Sequence, residues 1–171
     1  MPQAVFGIAD SEARAERIMG DLRDAGFPTE AISVLFPDRT GTRELRHDAH
    51  TKAPEGASTG AGTGALLGGT LGWLSGVGAI AIPGLGAFIA AGPILAMLSG
   101  AATGAAVGGV SGALLGYAVP EFEATQYESK LRDGNYLISV HTENVVQQAH
   151  ARDILGRNGA TDVSQREEQR V

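Results

Sequence analysis

From Gly56 to Pro120 the chain runs through 65 consecutive residues without an Asp, Glu, Lys, Arg or His. All 13 basic and 19 acidic residues fall on either side of that tract. Inside it, glycine recurs every fourth residue in two series: Gly60, Gly64, Gly68, Gly72, Gly76 and Gly100, Gly104, Gly108, Gly112, Gly116. The two series belong to one internal repeat, since TGALLGGTLGWLSG (63–76) aligns with TGAAVGGVSGALLG (103–116). Residues four apart share one face of an α-helix, so each ladder predicts a smooth groove lacking side chains, roughly 24 Å long. A second helix can approach such a groove closely, the small-xxx-small logic of helix packing in membranes. Five glycines would cost an isolated helix in water on the order of 5 kcal/mol relative to alanine. In lipid the backbone must bond to itself, which enforces the helix. The ladders therefore predict an antiparallel helical hairpin over 60–119, packed glycine face to glycine face. Pro83 and Pro93 interrupt any continuous helix between them.

The flanks have ordinary globular composition. AVFGIA (4–9) reads as a strand, and Asp10 or Ser11 can cap a helix carrying Ala15, Ile18, Met19, Leu22 and Ala25 at helical spacing. Gly26 stands where that helix would end, and AISVLF (31–36) follows as a second strand closed by Pro37. After the tract, PEFEATQYESKLRDG (120–134) reads as a helix and NYLISVH (135–141) as a strand. A helix from about Glu143 to Asn158 and an edge strand TDVSQR (161–166) complete the chain. Each flank is thus a β-α-β half with two strands and one apolar face, too little to be stable alone. Together they predict an α+β fold, a ferredoxin-like split βαβ sandwich interrupted by the apolar glycine-zipper hairpin. The expected organisation is 1–37 for the first half-domain, 38–59 for a polar linker, 60–119 for the hairpin and 120–171 for the second half.

Both halves of one sheet lie on the same side of any bilayer, so a membrane hairpin would cross twice. Arg39, Arg43, Arg46 and Lys52 before the tract fit a cytoplasmic domain under the positive-inside tendency. The second ladder is rich in Ala, Gly, Ser and Thr and only marginally hydrophobic, so a hairpin buried in a soluble homo-oligomer fits the same pattern. Tyr117 is placed as an interfacial anchor, whereas Trp73 is too central for that role.

The chain is poor in chemistry. A net charge of −6 argues against nucleic acid as a partner, and the absence of cysteine removes disulfides and thiolate chemistry. Nothing at the N-terminus reads as a signal peptide. The glycines form neither a GxGxxG motif nor a phosphate loop with lysine. His47 and His50 read as loop residues rather than a metal pair, and His141 and His150 as surface or packing residues. Glu12/Glu16 and Glu123/Glu128 read as solvated helix surface. The sequence thus predicts no catalytic, cofactor or metal residues, and no enzyme.

The opening AVFGIADSEARAERIMGDLRDAGF, the central AIAIPGLGAFIAAGP and the return PEFEATQYESKLRDGNYLISVHTE resemble the bacterial general stress protein family, heat-induced stress protein-like domains carrying a glycine-zipper insertion. The resemblance covers nearly the whole chain apart from 38–59 and implies a bacterial protein associated with stress responses, without an active site. The expected function is a non-enzymatic stress-associated protein. Its hairpin would anchor it in the cytoplasmic membrane and self-associate, with the polar domain in the cytoplasm. The alternative is a soluble, cytoplasmic self-assembling module, or one that binds a ligand or partner.

Overall fold

The computed structural model describes residues 3–37, 77–82, 86–94, 110–112, 114 and 119–167. Six strands form a single antiparallel sheet: β1 (Gln3–Ala9), β2 (Ile32–Pro37), β3 (Val77–Ile82), β4 (Gly86–Ala91), β5 (Tyr136–Thr142) and β6 (Thr161–Glu167). Their order across the sheet is β3-β4-β2-β5-β1-β6. Among the described residues, three long helices accompany them, α1 (Glu12–Asp24), α2 (Glu121–Arg132) and α3 (Val145–Arg157). The fold is α+β.

Local signals in the flanks account for these elements. The Ser11 side chain accepts from the Arg14 N–H and starts α1. At its other end the Gly26 N–H bonds to the Arg23 carbonyl and the Phe27 N–H to the Leu22 carbonyl, the paired bonds of a Schellman motif. Gly26 takes φ +90°, a conformation that a side chain would strain. The same bonding pattern closes α2 at Gly134 and α3 at Gly159. At the start of α3, Asn144 caps the Gln147 N–H, and the Gln147 side chain reaches back to the Glu143 N–H.

Strands β1, β2, β4 and β5 are buried on both faces of the sheet. Val5, Val34, Phe36, Ile138 and Val140 point to one side, where Ile18, Leu22, Ile154 and Leu155 of α1 and α3 cover them. Ala4, Phe6, Ile8, Leu35 and Leu137 point to the other, against Ala124, Tyr127 and Leu131 of α2. This three-layered arrangement corrects the expectation of one apolar face per half. The reason is legible in the strands, because VFGIA and ISVLF are continuous apolar runs rather than alternating ones, the pattern of strands covered twice.

A second correction concerns the tract itself. Within the span 60–119, read as a helical hairpin, Val77–Ile82 and Gly86–Ala91 are strands paired with one another, and β4 also pairs with β2. The physical cause is the sequence VGAIAI–PGL–GAFIAA: two apolar runs with β-branched residues, separated by the turn-forming dipeptide Pro-Gly, favour paired strands. Pro83, expected to interrupt a continuous helix, falls in sequence between these two strands and lies outside the described residues.

Candidate functional site

Of the ten ladder glycines, Gly112 alone lies among the described residues; it is half-buried and helical, and Val110 and Ser111 before it are helical too. Gly60, Gly64, Gly68, Gly72, Gly76, Gly100, Gly104, Gly108 and Gly116 lie outside them, as do Trp73, Tyr117, His47 and His50. What the described residues do show is how the uncharged tract is seated on the sheet.

Phe88, Ala90, Ile94, Val110 and Leu114, all from the tract, are buried in the same cluster as Phe6, Leu35, Tyr127 and Leu131. Three polar details hold this seat. First, Gly92 follows β4 with φ +84°, and a Cβ there would overlap the carbonyl oxygen of Ile32; only glycine lets the chain leave β4 this close to β2. Second, the buried Ser33 Oγ accepts from the Ile94 N–H at 3.3 Å. Third, Glu128 on α2 accepts from the Ser111 N–H at 2.9 Å and meets Arg132 at 3.4 Å. Glu128 is therefore more than solvated helix surface: it binds the main chain of the tract. Ser33→Ala would leave the Ile94 N–H unpaired in the interior and is expected to cost about 1–3 kcal/mol, read as a lowered urea midpoint at unchanged m-value.

On the far side of the same helix, the Tyr127 hydroxyl donates to the Asp162 carbonyl at 2.8 Å and meets Ser164 Oγ at 2.7 Å. Gln126 Nε2 donates to Asp162 Oδ1 at 2.8 Å. These bonds fix α2 to β6, so the helix clamps the tract against a frame that is itself tied to the sheet.

One cleft of about 340 Å³ opens at the end of β5, lined by Pro28, Glu30, Ala31, His141, Thr142, Glu143 and Gln147. Its main-chain donors at Glu143 and Gln147 are taken up by the cap of α3, and Thr142 Oγ1 donates to the Gln3 carbonyl at 3.0 Å. Glu30, Glu143 and His141 bring two carboxylates and an imidazole to its lining. Among the described residues no group of three or more His, Cys, Asp or Glu is arranged to hold a metal ion. His150 packs its ring against Phe27 at 5.9 Å between centroids, a packing role. Among the described residues, no helix is long and apolar enough to cross a membrane. No family model, curated protein or solved structure matches the chain.

Proposed function

We propose that the chain is a non-enzymatic, self-associating protein that assembles in water rather than across a bilayer, and that its stress-protein resemblance marks its setting. The flank strands, adjacent in the order β6-β1-β5-β2 with α1 and α3 on one face, support reading the frame as a ferredoxin-like split βαβ unit.

The observation that carries the aqueous reading is that the uncharged tract returns to the sheet midway. Ile94 and Val110 share one apolar cluster, and only residues 95–109 lie between them. An excursion through a hydrocarbon core about 30 Å thick and back needs about 40 helical residues. Even fully extended, residues 95–109 would reach only about 26 Å out before turning back. The second ladder therefore has too little chain for two crossings. The first ladder leaves from Pro37 and returns at Val77, both in one sheet. A double crossing there would draw in 38–55, with its four acids and four bases, at a cost of several kcal/mol per charge. Glycine grooves that cannot span a membrane retain their use as close-packing surfaces between helices. A bilayer anchor draws its support from the 65 uncharged residues alone.

The test is purification of the full chain without detergent, followed by light scattering. A defined oligomer in the aqueous fraction is expected. Replacing Gly68, Gly72, Gly104 and Gly108 together by leucine should reduce its mass. A protein that partitions wholly with membranes and needs detergent, or a wild-type monomer, overturns the reading.

A further inference from the structure

We infer that Asn158, followed by Gly159 at the end of α3, is a deamidation site that the contact between α3 and α1 holds in check, and that its reaction opens that contact. The chain has three asparagines, and Asn135 and Asn144 precede Tyr136 and Val145. Asn158 alone precedes glycine, so no Cβ shields the next backbone nitrogen from the asparagine side chain. In the reaction the Gly159 nitrogen loses its proton to hydroxide and attacks Asn158 Cγ. The N–Cγ bond forms, the Cγ–Nδ2 bond breaks, and Nδ2 takes a proton from water and leaves as ammonia. Water then opens the five-membered imide at either carbonyl, giving aspartate or isoaspartate at 158. The sum is hydrolysis of a side-chain amide, with no oxidation or reduction.

The structure holds the reacting atoms apart in two ways. About its Cα–C bond Asn158 has ψ +6°, whereas ring closure brings the Gly159 nitrogen round to eclipse Cβ, roughly a third of a turn away. That rotation breaks the bonds from the Gly159 N–H to the Gly156 carbonyl and from the Ala160 N–H to the Leu155 carbonyl, each 3.0 Å long. The side chain is pinned as well. Asn158 Nδ2 donates to Asp21 Oδ2 of α1 at 2.8 Å and to the Ile154 carbonyl at 2.9 Å. Both protons of the leaving group are thus engaged, one of them by a residue 137 positions away on another helix. Both partners are acceptors, so a carboxylate at 158 fits neither. It sets a second negative charge beside Asp21, at the helix end where the dipole also disfavours it. Isoaspartate adds a main-chain carbon between α3 and β6, which shifts Gly159 and Ala160 off their carbonyl partners. The reaction therefore removes the bonds that restrained it, and the α1–α3 contact does not re-form through this pair.

Peptide mass spectrometry with isoaspartate detection tests this on the wild-type chain, incubated at mildly alkaline pH in buffer and in guanidinium chloride. In denaturant Asn158 should deamidate faster than Asn135 and Asn144. In buffer it should react at least about tenfold more slowly than in denaturant, because only locally opened molecules react. Asp21 is exposed, so Asp21→Ala removes the partner on α1 without emptying the core. That variant should raise the rate in buffer about threefold, the factor that one hydrogen bond of modest net strength supplies, and leave the rate in denaturant unchanged. Asn158→Asp supplies the product directly. At low salt it should have a lower urea midpoint than Asn158→Ala, and the gap should narrow as salt rises. The inference is overturned if Asn158 reacts as fast in buffer as in denaturant, or no faster than the other asparagines once unfolded. It is also overturned if Asp21→Ala leaves the rate in buffer unchanged, or if Asn158→Asp is as stable as Asn158→Ala.

Discussion

Gly92→Ala is expected to destabilise the protein by about 3 kcal/mol, a large loss for removing no side chain at all. Two costs combine. The residue holds φ +84°, and a Cβ in that left-handed region costs roughly 1–2 kcal/mol. The new methyl would also overlap the Ile32 carbonyl oxygen, which cannot easily retreat because Ile32 is paired with Val140 in the interior of the sheet. Gly86 separates the two costs. It has φ +99° at the start of β4, but nothing lies within 4 Å of where its Cβ would stand. Gly86→Ala should therefore lose only the conformational part, about 1–2 kcal/mol. Urea denaturation at one fixed protein concentration measures both, since self-association would otherwise enter the midpoint. Equal losses at the two positions would mean that the chain does not pass close over β2 at Gly92, and the seat of the tract would be misplaced.

The flanks were legible because their signals are local. Ser11, Gly26 and Gly159 punctuate the chain by hydrogen bonding and backbone conformation, and each acts within a few residues of itself. Strand and helix boundaries read from them agree with the structure to within a residue or two. The second buried face was harder to see. Leu35 and Phe6 announce burial, but what covers them comes from Phe88, Ile94, Val110 and Leu114, contacts distant in sequence that no periodicity specifies. The hairpin at 77–91 was masked by a stronger pattern on either side of it. A four-residue glycine spacing fits a helix so well that the intervening VGAIAIPGLGAFIAA is easily taken as the turn joining two helices. Yet its own composition, with Ile80, Ile82, Phe88 and Ile89 around the turn-forming dipeptide Pro-Gly, favours strands. Glu128 illustrates a third limit. A carboxylate on a helix with an arginine four residues on reads as surface, and its bond to Ser111 depends on tertiary placement alone.

Whether the tract is an appendage or part of the core is decided most sharply at Phe88. Its ring is 1% exposed and belongs to the cluster formed by Phe6, Leu35, Tyr127 and Leu131. Phe88→Ala removes a large side chain from an interior packed on all sides, which is expected to cost about 3–5 kcal/mol. Phe122, at 81% exposure, is the matched control, and Phe122→Ala should change stability by no more than about 0.5 kcal/mol. The informative readout is local as well as global: hydrogen exchange at Leu137 and Ile138 in β5, a strand of the second flank. If the tract were tethered only through linkers, Phe88→Ala would loosen the tract and leave β5 protection at its wild-type level. Integrated as β4 is, between β3 and β2, the same substitution should lower protection in β5 by the full global loss, because one cooperative unit contains both. A frame that unfolds together with the middle of its uncharged tract has bound that tract into its own sheet.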